Sequence, residues 1–277
     1  MVTTRSMAAK ENQMKRKRSP AKAKQMKKKR SPTSSAAAKE LALCHDNVVH
    51  IAGIVAATSP EPIADLLNLR ATCKAMHAAT KERDVGRRVP LERLEGMKWG
   101  ENGRYIAIVN NLAVTGNPDA CFHIGVALIF TRQDIVQGIL YLTTAAAGGH
   151  KTAAYVLGIL LYSKSDKLTT LGKKYISQVE GDDGEEETAA VKMRTNRECC
   201  RCRKIAEDAV REVTWKVAGG GRRRGRILAM PVEGQPCTNA GCGVDSGWEG
   251  YGVFCSDGCR IRHEYSEFFT EVMNYMP

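Results

Sequence analysis

The chain has 277 residues, 43% apolar and 26% charged, a balance that excludes a wholly disordered polypeptide and allows one large or two small domains. Its net charge of +12 suggests a polyanion-binding protein only until the charge is located. Residues 1–39 carry 13 Lys/Arg and one acid, Glu11, which leaves 29 bases against 29 acids in the other 238 residues. The body is neutral, which argues against a nucleic-acid surface on it.

No apolar h-region follows the first basic residues. The longest apolar run, Ala153 to Tyr162, is about half of the ~20 residues a membrane span needs. A soluble, intracellular chain is expected, and in a reducing compartment its ten cysteines are expected as thiols or metal ligands, not disulfides.

Residues 1–40 are low in aliphatic side chains and rich in Lys, Arg, Ala and Ser. Such a segment buries too little apolar surface to offset its ordering entropy and is expected to be disordered. Within it, Lys15, Arg16, Lys17 and Arg18 are followed after eight residues by Lys27, Lys28, Lys29 and Arg30. The two clusters resemble a bipartite nuclear-import signal, which places the protein in the nucleus. A solvated charge run and a non-specific polyanion-binding tail are the alternatives.

From 41 to 95 the pattern is helical. Val48, Ala52 and Val55 mark one face, and Ile51 and Ile54 another. Ser59-Pro60-Glu61-Pro62 stops and restarts the chain, since Ser can cap and Pro suits a first helical turn. Leu66, Leu69, Cys73 and Met76 then recur at i, i+3, i+7 and i+10, which predicts one amphipathic helix. Cys44, Cys73 and Cys121 are expected on apolar helical faces as core residues.

The stretch Asp46 to Met76, above all Ala64 to Met76 with its Leu-rich helix ending in Ala71-Thr72-Cys73-Lys74, resembles an F-box. The Leu-Pro opening usual in that family is replaced here by Cys44-His45-Asp46-Asn47-Val48. The resemblance implies docking on a Skp-type adaptor that joins a cullin complex, through Val48, Ile51, Val55, Leu66, Leu67, Leu69 and Cys73.

Residues 100–179 repeat. Gly116, Ala120 and Gly125 recur 33 positions on as Gly149, Ala153 and Gly158, and Gly138 and Tyr141 recur after 34 as Gly172 and Tyr175. This period belongs to helix–turn–helix repeats of the tetratricopeptide type. Asn117-Pro118 predicts a cap followed by Pro at the first helical position, and the segment from Arg104 to Ala113 an additional helix. The Ala-Ala-Ala-Gly-Gly-His run resembles the Sel-like subclass. Two copies are few, since about three normally close a solenoid core.

Residues 180–230 read as an acidic loop, a helix over Arg197 to Lys216, and a Gly/Arg linker at 219–226. In 231–277, Cys237 and Cys242 are followed by Cys255 and Cys259, two close pairs that suit tetrahedral zinc. Buried structural thiols are the alternative. Phe254-Cys255-Ser256-Asp257-Gly258-Cys259-Arg260 resembles the second knuckle of plant FCS-type zinc fingers, in which a hairpin supplies the third ligand and a first helical turn the fourth. Ser256 or Asp257 can cap that helix, whose seam is Ile261, Tyr265, Phe268, Val272 and Tyr275. His263, one turn after Cys259, could replace or support a thiolate. Cys199 and Cys202 form a half-site with no obvious partner pair. With few aliphatic residues of its own, this module is expected to need its metal to fold.

No Walker loop, strand-associated G-x-G-x-x-G, H-E-x-x-H or nucleophile elbow is present, and a zinc with four protein ligands leaves no open position. A non-enzymatic protein is expected. The fold class is mainly α: disordered tail, F-box helices, a short α-α repeat array, and a small zinc-binding module with a terminal helix. That order resembles plant F-box proteins with Ala/Gly-rich repeats and a terminal Cys cluster. It implies the substrate-recognition subunit of an SCF-type (cullin–RING) ubiquitin ligase that binds a protein target through repeats, zinc module or both. The alternatives are a nuclear nucleic-acid-binding zinc-module protein and an F-box-like scaffold without a ligase role.

Overall fold

The structure, a computed structural model, describes residues 44–162, 166–181, 193–217, 237–245, 247 and 250–275. The tail with both basic clusters, the acidic stretch at 182–187 and the Gly/Arg segment at 219–226 lie outside the described residues. By contacts the chain divides after Ala42, and everything described belongs to the second unit, Leu43–Pro277.

Four helices open that unit: α1 (His45–Thr58), α2 (Pro62–Thr72), α3 (Lys74–Ala79) and α4 (Arg83–Arg87). The break between α1 and α2 falls where the sequence placed it, with Pro62 in the first turn of α2 and Ser59 Oγ accepting from Glu61 N at 2.9 Å. The predicted single helix through Leu66 and Met76 is instead two. Cys73 is extended (φ −157°, ψ 166°), and its Sγ accepts from Met76 N at 3.5 Å to cap α3. The apolar spacing persists across the break, so periodicity alone could not show it. Of the three cysteines expected in the core, only Cys121 is buried; Cys44 and Cys73 are exposed.

After a 3₁₀ turn at Leu91–Leu94 and α5 (Glu95–Gly100) come α6 (Asn102–Thr115), α7 (Pro118–Ala127), α8 (Ile135–Ala147), α9 (Lys151–Leu161) and α10 (Asp166–Glu180). Helices α7–α8 and α9–α10 are the two copies of the repeat. The Asn117 side chain accepts from Ala120 N at the start of α7, and 33 residues later His150 Nδ1 accepts from Ala153 N at the start of α9. At each crossing two glycines face each other. A Cβ on Gly138 would lie 3.0 Å from Gly125 O, and one on Gly172 only 2.8 Å from Gly158 O. Beside them Leu142 and Ile176, 34 residues apart, pack on Gly125 and Gly158. The repeat period is thus the period of a backbone-to-backbone approach that a side chain would block.

Asn117 also joins the first four helices to the array. Its Nδ2 donates to Gly86 O at 3.0 Å and to Val89 O at 2.7 Å, while Arg87 Nε donates to Thr115 O at 3.1 Å.

Helix α11 (Arg197–Val217) packs across α7, α9 and α10, and α12 (Asp257–Tyr275) packs on α9, α10 and α11. The two therefore supply a third helical pair, the number a repeat core needs. Between them, β2 (Val244–Asp245) and β3 (Gly252–Phe254) form an antiparallel ladder that β1 (Arg194–Thr195), just before α11, extends in the order β1-β3-β2. Four residues of the seam assigned to the Cys-rich module belong to this shared core: Ile261, Tyr265, Phe268 and Val272 are buried together with Tyr155, Leu157 and Ile176, while the side chain of Tyr275 lies outside the described residues. Phe268 meets the Tyr155 ring edge-on at 6.0 Å, and Tyr162 tilts against Tyr265 at 5.6 Å.

Candidate functional site

Three arrangements carry chemistry. The first is the four-cysteine group. A turn with Gly241 and Gly243 at positive φ lets the chain reverse at Cys242, and Gly243 N donates to Val253 O at 2.7 Å. This brings Cys242 against the end of β3, where Cys255 N donates to Cys242 Sγ at 3.4 Å. Ser256 Oγ accepts from Cys259 N at 3.2 Å, the cap expected for α12, and aims Cys259 back at Cys255.

The Sγ atoms of Cys237, Cys242, Cys255 and Cys259 all lie within 4.8 Å of one another, and both Cys237 and Cys259 are 3.5 Å from Cys255. Zn–S bonds of about 2.3 Å in a tetrahedron set S–S edges of roughly 3.8 Å, so the donor set fits a four-thiolate metal ion. A hydrogen bond from Asn239, then the thiols of Cys237, Cys259 and Cys242, pull Cys255 down to about 6, whereas desolvation pushes Cys242 up to about 12. Four mutually touching thiols ionise together only if a cation neutralises them.

The other sulfur and imidazole candidates stand apart. His263 packs its ring on Phe254 at 5.0 Å. Cys199, Cys200 and Cys202 are buried on α11, where burial pushes Cys199 well above the ordinary thiol range and Cys200 and Cys202 up to about 11. Among the described residues the four-cysteine group is the one set of three or more such ligands close enough to share an ion.

The second arrangement is apolar. Ile51 and Ile54 on α1 are 36% and 46% exposed, and Leu67 on α2 is 48% exposed. Val48 and Leu66, also expected at a docking face, are buried in the core. Val55 and Leu69 pack half-buried against that core, and Cys73 is exposed. The expected set thus divides into an inward half that holds α1 and α2 together and an outward half free to meet a partner. Ile54, outside the expected set, is exposed alongside the outward half.

The third is a buried polar knot that sequence patterns did not reveal. Glu264, fully buried on α12, accepts from Tyr155 Oη at 2.9 Å and from Asn196 Nδ2, and pairs with Arg203 Nη1 at 3.4 Å. Asn196 Oδ1 accepts from Gly252 N at 2.7 Å, which ties the Cys-bearing ladder to the same knot. Burial pushes the Glu264 carboxyl above the usual range, while Arg203, Asn196 and Tyr155 pull it back. A signal existed in principle: Glu264 is an acid on the apolar side of the seam between Ile261 and Phe268.

Residues 99–211 match the plant tetratrico peptide repeat family, from the end of α5 into α11. The chain is 28% identical over 140 residues to an Arabidopsis thaliana protein named "putative F-box protein", an alignment covering 50% of this chain. That alignment spans about half, 47%, of the relative's length. No solved structure matches the chain significantly.

Proposed function

We propose that the chain is a non-catalytic adaptor of an SCF-type, cullin–RING ubiquitin ligase. In this reading α1–α4 dock on a Skp-type adaptor, and the repeats, the Cys-bearing ladder or both bind a protein target. The observation that carries it is the outward apolar face: Ile51, Ile54 and Leu67 lie in water on helices whose other side is already packed. Similarity to a protein named "putative F-box protein", and to a plant repeat family, supports the same reading. The Asn117 and Arg87 bonds fix α4 to the repeats, so a bound target stands at a set distance from the ligase, and transfer becomes a matter of proximity.

The repeats are read as the Sel-like subclass, and the four cysteines as an FCS-like structural zinc site. Chelation is expected to open only the ladder, because α12 shares the repeat core. Mass-spectrometric alkylation of native protein checks this: Cys44 and Cys73 react at once, Cys237, Cys242, Cys255 and Cys259 react only after chelation, and Cys121, Cys199 and Cys202 stay protected while the helical circular dichroism persists. Equal reactivity of the four thiols with and without chelator would remove the metal. Cys255→Ser is expected to lose the ion and His263→Ala to keep it.

Nuclear location follows from the clusters Lys15 to Arg18 and Lys27 to Arg30. Residues 1–39 fused to an inert reporter are expected to carry it into the nucleus; a cytoplasmic fusion would count against this location.

The docking face is tested by Ile54→Asp with Leu67→Asp. Both positions are about half exposed, so stability is expected to stay within about 0.5 kcal/mol of wild type. Burying two carboxylates at the interface costs several kcal/mol, so co-purification with a Skp-type adaptor is expected to disappear. Undiminished co-purification would sink the docking assignment. Leu66→Asp is unsuitable because Leu66 lies in the core, where a carboxylate is expected to destabilise the helices themselves.

A further inference from the structure

The first turns of α11 set Arg197, Arg201 and Lys204 at i, i+4 and i+7, on one helical face. With Cys200 and Tyr251 they line an open cavity of about 310 Å³ whose lining, among the described residues, contains three bases and no acid. Tyr251 comes from the segment leading into β3, so the Cys-bearing ladder supplies the second wall.

This wall is held in place. Arg197 Nη2 donates to Tyr251 Oη at 2.9 Å, and its guanidinium lies 4.6 Å over the Tyr251 ring. Cys200 Sγ is tied to Gly250 O at 3.7 Å. Arg201 Nη1 pairs with Glu198 at 2.8 Å, but that carboxylate, outside the lining, also serves Lys151 at 3.5 Å. Among the described residues Lys204 has no ion pair. Arg203, by contrast, turns inward to Glu264 and is spent on the core.

We infer that this pocket receives a phosphomonoester on a protein partner, the phosphorylated serine, threonine or tyrosine of a target. A phosphate brings about 1.5–2 negative charges and three acceptor oxygens. Arginine forks match those oxygens two at a time, and a lysine adds a mobile point charge. The volume sits at the low end of ligand pockets, roughly 300–1,000 Å³, which suits one side-chain head. A nucleic acid would need a basic track, and the body beyond residue 39 is neutral. The chemistry of the pocket stands by itself; that its ligand is a ligase target rests on the adaptor reading.

The test uses the full chain and fluorescence anisotropy. Probes are heptapeptide pools with a central phosphoserine, phosphothreonine or phosphotyrosine, the unmodified pools, and a single-stranded ribo-oligonucleotide. At least one phosphorylated pool is expected to bind roughly tenfold more tightly than its unmodified counterpart. Arg201→Gln with Lys204→Gln is expected to abolish that preference, while Ile54→Asp with Leu67→Asp keeps it. Adaptor co-purification is expected to show the opposite pattern, so failure of the pocket and failure of the docking face are seen separately. Absence of a phosphate preference, a preference that survives in R201Q/K204Q, or binding of the oligonucleotide alone through these residues would overturn the inference.

Discussion

Gly172→Val is expected to destabilise the protein by about 3 kcal/mol and, at roughly 2–4 °C per kcal/mol for a unit of this size, to lower its melting temperature by about 6–12 °C. The cause is a clash with backbone. A Cβ at this position would lie 2.8 Å from Gly158 O and 3.3 Å from Tyr162 N, neither of which can turn aside as a side chain can. Helices α9 and α10 would have to part, and Ile176, packed on Gly158, would lose its seat. Gly103→Ala makes the contrast. It lies in the first turn of α6, where nothing approaches within 4 Å, so the substitution is expected to be neutral or to stabilise by up to about 1 kcal/mol through helix propensity. Differential scanning calorimetry separates the two. A Gly172→Val protein that melts with the wild type would show that the repeats do not close on their glycines.

Glu264→Ala is expected to cost about 3–5 kcal/mol, because it leaves the Arg203 guanidinium largely buried without its nearest carboxylate. Tyr155 Oη and Asn196 Nδ2 lose their acceptor in the same step. The diagnostic is the double variant. Arg203→Met with Glu264→Leu removes both charges and is expected to be more stable than Glu264→Ala alone, since a vacated ion pair refilled with apolar volume is often neutral. Urea unfolding of Arg203→Met, Glu264→Leu and the double variant measures the coupling. Simple additivity of the two changes would mean that Glu264 and Arg203 are not joined in the folded state.

Much of this architecture was legible in the chain because it rests on local rules. Asn117-Pro118 caps and starts α7, the 33–34 residue offset marks the glycine crossings, and two close cysteine pairs converge on one point. What escaped is either a backbone break that the apolar period spans or a contact between residues distant in sequence. The break at Cys73 leaves the apolar period intact, so only the backbone reveals it. Cysteine spacing drew attention to a separate C-terminal module, yet α12 completes the third helical pair, a fact that resides in its contacts with α9, α10 and α11. Of the expected docking residues, Ile51 and Leu67 face outward while Val48 and Leu66 face inward, because a helix apolar over more than one stripe gives no sequence cue to which stripe the core takes. The basic pocket joins Arg197 to Tyr251 across 54 residues, and no local pattern connects them.

The docking assignment is tested most directly by native mass spectrometry of the purified full chain mixed with a Skp-type adaptor and the amino-terminal half of a cullin. One copy of each is expected in a single assembly, with none formed by Ile54→Asp/Leu67→Asp protein of unchanged melting temperature. A wild-type chain that remains alone beside an intact adaptor–cullin pair would contradict the adaptor function.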